Sequence, residues 1–149
     1  MTKTNPISDS SVNVPYNYQI LVVDDNESCA RVMMWTLEEL GQNAQIAFDW
    51  KTALEIAKST HHDLILLDIG IPGMNGYEIC QELRKDPSLK NTVIVAQTGW
   101  GEREHRERSK AAGFDIHLVK PVNIAMLQKI ISMLDKTRLE SKSNNISNT

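Results

Sequence analysis

Four apolar runs along the chain each close on a polar residue. Ile20-Leu21-Val22-Val23 leads into Asp24-Asp25, and Leu64-Ile65-Leu66-Leu67 leads into Asp68. Val93-Ile94-Val95-Ala96-Gln97 leads into Thr98, and Ile116-His117-Leu118-Val119 into Lys120. The central runs are apolar at successive positions rather than alternating, which suits strands of a parallel sheet covered by helices on both faces. A weaker strand is predicted over Ala44 to Ala47. Helical spacing fills the intervals: Ala30, Met33, Met34, Leu37 and Leu40 ahead of Gly41, then Trp50, Ala53, Leu54 and Ala57 behind a capping Asp49. Tyr77, Cys80 and Leu83 follow a turn-rich loop, a charged helix runs from Glu102 to Ala112 before Gly113, and Leu127, Ile130, Ile131 and Leu134 follow Asn123. The alternation predicts an α/β fold, a (βα)5 doubly wound parallel five-stranded sheet. Ser-, Asn- and Thr-rich ends read as a flexible leader over 1–17 and a flexible tail over 138–149, around one domain at 18–137.

If the runs are parallel neighbours, their C-terminal ends share one sheet edge, where open α/β sheets bind ligands. Asp24, Asp25, Asp68, Thr98 and Lys120 would then meet in one shallow pocket. Two like charges about 4 Å apart cost roughly 4 kcal/mol at an effective dielectric of 20, so clustered carboxylates need protons or a cation. Hard oxygen donors with room for water favour Mg2+. Taken singly, each residue has a plainer reading. An Asp-Asp pair can cap a helix, Lys120 can be a solvated strand end, and Thr98 can be an ordinary β-branched strand residue.

The chain has 149 residues, 41% of them hydrophobic and 23% charged, with a formal net charge of −3. These values describe one globular domain and give no reason to expect a nucleic-acid or anionic-membrane surface. No apolar run approaches the roughly 20 residues needed to span a bilayer, and the N-terminus lacks the apolar stretch of a secretory signal. The expected setting is therefore cytoplasmic. Cys29 and Cys80 lack metal-site spacing and are expected to be reduced, buried thiols.

Val22-Val23-Asp24-Asp25-Asn26, the segment Leu66-Leu67-Asp68-Ile69-Gly70-Ile71-Pro72-Gly73-Met74-Asn75-Gly76, Gln97-Thr98-Gly99 and Leu118-Val119-Lys120-Pro121 together resemble a receiver domain of two-component response regulators, whose fold is flavodoxin-like. The resemblance covers roughly residues 18 to 137, and the wording of the Asp68 and Thr98 loops is similar to receivers fused to hybrid histidine kinases. It implies a phosphoacceptor in a phosphorelay. Asp68 would take a phosphoryl group from a sensor histidine kinase or histidine phosphotransfer protein. Asp24, Asp25, Asp68 and the backbone carbonyl of Gly70 would hold Mg2+, with Mn2+ able to take its place. Lys120 and Thr98 would contact the phosphoryl group, and Pro121 would shape the adjoining loop through a cis bond.

His117 stands where many members of that family carry an aromatic switch residue. It would serve as a switch of its own or merely cover a strand end. Trp100 would shield the acyl phosphate from water. The charged helix from Glu102 would be a solvated face or part of an output surface toward a downstream protein. No DNA-binding or catalytic output domain is expected after the last helix. The chain would thus be a stand-alone or excised receiver.

Three competing functions read less well. An aspartate-nucleophile phosphatase would carry a second acid where Gly70 stands, so leaving-group protonation has no agent. A dinucleotide-binding domain would need GxGxxG after the first strand. A receiver fold kept only for binding would not need all five polar strand ends. No turnover of an outside substrate is expected.

Overall fold

The computed structural model describes residues 16–71, 75–99 and 103–147, with side chains left out at 103–106 and 141–147. Five parallel strands form one sheet: β1 (Gln19–Val23), β2 (Asn43–Ala47), β3 (Leu64–Asp68), β4 (Val93–Thr98) and β5 (Ile116–Val119). Their order is β2-β1-β3-β4-β5. The order reverses direction beside β1 and β3, and a crevice opens there at the carboxyl ends of the strands. Pairing is in register with that edge, Val23 lying against both Ala47 and Leu67, and Asp68 against Gln97.

The helices are α1 (Glu27–Glu39), α2 (Trp50–Ser59), α3 (Gly76–Arg84), α4 (Arg103–Ala112) and α5 (Ile124–Ser147), with a single 3-10 turn at Pro87–Leu89. Polar side chains start them, with Asp49 in the capping position that the sequence predicts. Asn26 accepts from the Cys29 amide, Asp49 from that of Thr52, and Asn75 from those of Tyr77 and Glu78. Met126 likewise donates its amide to Asn123. Gly41 and Gly113 follow α1 and α4 with φ of 83° and 107°, left-handed conformations that suit glycine.

Two cores form, one on each sheet face. Leu21, Val23, Ile65, Leu67, Ile94 and Ala96 pack against α2, α3 and α4, while Ile20, Val22, Leu64, Leu66 and Val95 pack against α1 and α5. Burial of both faces explains why the β3 run is apolar without alternation.

Three expectations need correction. Cys80 is buried but Cys29 is exposed. Ala30 and Leu37 set the inward face of α1, and Cys29, about 100° around the helix from Ala30, falls on its flank. Trp50 stays 40% exposed, because Ala53 and Ala57 supply the buried stripe of α2. The boundary expected at residue 137 falls inside α5, which runs on to Ser147 over roughly 36 Å. No Pro or Gly interrupts that stretch. Tyr18 also anchors it, donating its hydroxyl to Asp135 and accepting from Arg138, whose guanidinium lies 4.3 Å from the Tyr16 ring centroid. Glu102, Trp100 and residues 1–15 lie outside the described residues. Among the described residues no helix is long and apolar enough to cross a membrane.

Candidate functional site

The strand ends converge as their sequence positions predict. Asp24 follows β1, Asp68 closes β3, Thr98 closes β4, and Lys120 follows β5. Asp24, Asp68 and Thr98 are buried, Lys120 is half-buried, and Asp25 is exposed. One carboxylate oxygen from each of Asp24, Asp25 and Asp68 lies within 4.8 Å of the others. Asp25 thus brings the cluster to solvent, while its partners sit at the base.

Lys120 joins the two buried acids. Its Nζ lies 2.7 Å from Asp68 Oδ2 and 3.4 Å from Asp24 Oδ2. The other oxygens are held by the backbone: Asp68 Oδ1 accepts from the Gly70 amide at 2.8 Å, and Asp24 Oδ1 from the Asn26 amide at 3.0 Å. Each carboxylate is therefore fixed at both ends. The Lys120 amide donates to the Thr98 carbonyl at 2.8 Å, tying the β4 and β5 ends together.

Charge follows from this packing. Burial pushes the Asp24 carboxyl above its usual range, and the Asp68 charge adds to that, against the Asn26 amide and Lys120. Burial also works against the Lys120 ammonium, but the hydrogen bond and charge of Asp68, with help from Asp24, outweigh it and raise the Lys120 pKa. An acid that is reluctant to ionise, beside two further carboxylates and one cation, describes a cluster short of positive charge. An oxygen-only donor set of this kind, with an exposed member, fits Mg2+.

The remaining residues are less uniform. His117 lies on β5, half-buried, with Nδ1 3.0 Å from the hydroxyl of the buried Ser109 on α4. Sequence reasoning did not pick out Ser109, which lies inside a charged helix and carries no motif. The Lys120-Pro121 bond is cis, as the resemblance implied. Gly70 is exposed in the loop after β3, and a Cβ there would come within 3.3 Å of Asp68 Oδ1. Gly76 is more restricted, since a Cβ would lie 2.6 Å from Ile69 Cγ2 and 2.8 Å from its Cα. That close approach seats α3 against the loop beside Asp68. Gln97, one residue before Thr98, is also buried. Its one signal was a polar residue inside an apolar run.

Comparison with known proteins gives a consistent result. The family described as response regulator receiver domain matches residues 20–132. Chemotaxis protein CheY-3 of Vibrio cholerae is 33% identical over 114 residues, covering 76% of this chain and 88% of that protein. A probable transcriptional regulator, ycf27 of Porphyridium aerugineum, is 33% identical over 132 residues, 88% of this chain but 54% of that protein. The response regulator PleD of Caulobacter vibrioides is 33% identical over 121 residues, where the match spans only 27% of its length. Among solved structures, CheY4 of Vibrio cholerae aligns with a TM-score of 0.75 at 30% identity, covering 80% of this chain and 99% of that one. A CheY-like receiver protein from Methanospirillum hungatei aligns with a TM-score of 0.76 at 29% identity, covering 84% and 99%.

Proposed function

The chain belongs to the response-regulator receiver family, and from that premise we propose that Asp68 is its phosphoacceptor, charged from a phosphohistidine donor in a Mg2+-dependent reaction. The observation that carries this reading is the seat of Asp68, which is buried, held by Lys120 at 2.7 Å and clustered with two more carboxylates. An aspartate used only for structure would not need two acidic neighbours at such a cost in repulsion.

The chemistry asked of the protein is modest. One oxygen of Asp68 attacks phosphorus in line, an O–P bond forms, and the P–N bond to the donor imidazole breaks, with the imidazole recovering a proton from solvent. The ammonium of Lys120 pairs with a phosphoryl oxygen as charge builds, and it is already in place. Thr98, buried at the adjoining strand end, offers its hydroxyl to a second phosphoryl oxygen. Asp24, Asp25, Asp68 and the Gly70 carbonyl would hold Mg2+, which when bound supplies the further positive charge that the incoming oxygens require. Gly70 stands where an aspartate-nucleophile phosphatase would carry its second acid, which supports reading the site as a switch that keeps its phosphoryl group.

The upstream partner in this reading is a sensor histidine kinase or a histidine phosphotransfer protein, and the setting is cytoplasmic. Downstream, the proposal is a conformational signal passed to a partner protein, with His117 and Ser109 coupling β5 to α4. The receiver unit is taken to begin at residue 18 and to extend into α5.

The test is labelling with radioactive acetyl phosphate and Mg2+, with and without chelator. Wild type should take up label that is sensitive to hydroxylamine, and Asp68→Ala should take up none. Label that survives Asp68→Ala would overturn the assignment.

A further inference from the structure

Two of the three clustered acids are anchored by their side chains, and the third is not. Asp24 and Asp68 each accept from Lys120 and from a backbone amide. Asp25 is exposed, and its carboxylate makes no hydrogen bond or ion pair among the described residues. One of its oxygens nonetheless lies within 4.8 Å of both other carboxylates. Repulsion alone would swing it outward. Its place must be set by the backbone on either side.

On one side, the Asp24 amide donates to the Ala47 carbonyl at 3.1 Å, carrying the β1–β2 ladder one residue past the strand. On the other side, Asn26 starts α1. Its Oδ1 accepts from the Cys29 amide at 3.0 Å and its carbonyl from the Ala30 amide at 3.0 Å. The Asn26 amide donates back to Asp24 Oδ1 at 3.0 Å, which closes a turn with Asp25 at its centre.

The residue type at the cap matters for the acids before it. Aspartate caps helices about as well as asparagine. Without a cap at position 26, the next side chain able to take that role is Asp25, one residue earlier. A carboxylate that accepts helix amides is drawn away from a metal. A neutral amide side chain at position 26 fills the cap and uses neither acid.

We propose that Asn26 is a positioning residue for the metal: by taking the α1 cap it fixes the backbone of Asp25 and leaves that carboxylate free for Mg2+. The inference rests on the Mg2+ reading of the site. A ligand already in place binds an ion more tightly than one that must first be ordered, because apparent affinity scales with the fraction of competent molecules.

The experiment titrates the full chain, labelled with nitrogen-15, with MgCl2 at constant ionic strength. Wild type should give saturable shifts at the backbone amides of Asp25, Asn26 and Gly70. Asn26→Ala should raise the Mg2+ midpoint about fivefold, the order of one helix-cap bond. Asn26→Ser restores a neutral cap and should stay within about twofold of wild type. In acetyl phosphate labelling, the Mg2+ concentration for half-maximal rate should rise in Asn26→Ala by the same factor. The rate at saturating Mg2+ should stay within about twofold, because the bound ion then orders Asp25 itself. A cap that serves only the helix would lower the urea midpoint and leave the Mg2+ midpoint unchanged, and that result would overturn the proposal. Equal losses in Asn26→Ala and Asn26→Ser would overturn it too. Wild type without saturable Mg2+ shifts would overturn the Mg2+ reading itself, and this proposal with it.

Discussion

Lys120 and Asp68 stand 52 residues apart in the chain, yet Nζ lies 2.7 Å from Oδ2. Neither group would be stable there alone. A half-buried ammonium needs a counter-charge, and a buried carboxylate beside Asp24 needs a cation. The pair resolves both demands at the edge where the sheet order reverses. It also sets a competition, because two of the carboxylates offered to a metal are those that hold Lys120.

That competition gives the first prediction. Replacing Lys120 with Met removes a positive charge from the acid cluster while keeping most of the side-chain volume. At one-third exposure the repulsion felt by an incoming cation is partly screened, so the gain is put at about 1.4 kcal/mol, or about tenfold tighter Mg2+ binding. Isothermal titration calorimetry on wild type and Lys120→Met measures it. Unchanged or weaker binding in the variant would contradict the electrostatic account.

Asp24 gives a prediction with the opposite sense to that of a paired surface acid. Its folded pKa is raised, chiefly by burial, so the folded chain binds a proton more readily than the unfolded one. Stability from this group is present at low pH and is lost as pH rises through the raised folded value. In the presence of EDTA, Asp24→Asn should therefore be more stable than wild type at pH 7. The advantage should shrink as the pH falls toward 4. Urea midpoints at the two pH values decide the matter.

The site was more legible than its surroundings, for a physical reason. In a parallel sheet every strand points the same way, so residues that end successive strands must gather, and Asp24, Asp68, Thr98 and Lys120 could be grouped from their positions alone. Helix faces are less forgiving. Cys29 sits one residue from the buried Ala30, and a 100° rotation separates a core thiol from an exposed one. The end of α5 was illegible because its polar tail contains good helix formers and is held by Tyr18, more than a hundred residues away. Gln97 passed as part of a motif. Only the packing around α1 and α5 reveals that it lines a cleft.

Gly76→Ala probes the loop that carries the phosphoacceptor. The added methyl would meet Ile69 at 2.6 to 2.8 Å, including the backbone Cα, so a side-chain rotation cannot relieve it. Overpacking of this kind costs roughly 1–3 kcal/mol. Since Ile69 adjoins Asp68, the strain should also slow labelling by acetyl phosphate. Chemical denaturation and labelling rates measured on the same preparation should move together. A variant of wild-type stability would show that the contact is not close.

Arg84 makes a separate structural prediction. Its guanidinium bonds the carbonyls of Gly113, Leu89 and Thr92 and the Asp115 carboxylate, which in turn accepts from the Ile94 amide. One planar fork therefore joins the end of α3 to the start of β4 and the loop before β5. Lysine carries the charge but cannot reach four acceptors. Arg84→Lys should lose roughly 2–4 kcal/mol, since carbonyls would be left without donors. A loss under about 0.5 kcal/mol in urea denaturation would show that water replaces those bonds.

His62 supplies the last prediction, at the sheet edge opposite the phosphoryl site. It is buried, with Nδ1 3.0 Å from the Thr60 carbonyl and Nε2 2.7 Å from the Gln45 amide oxygen. Burial lowers its folded pKa below the usual 6.5, so the folded chain keeps it neutral while the unfolded chain takes up a proton. Its contribution to stability is complete above pH 6.5 and falls away as the pH drops toward the lowered folded value, at no more than about 1.4 kcal/mol per pH unit. His62→Gln removes the titration but keeps a hydrogen-bonding side chain. Between pH 7.5 and 5.5 the urea midpoint of wild type should fall further than that of His62→Gln. Parallel falls in the two proteins would assign the acid sensitivity to other groups.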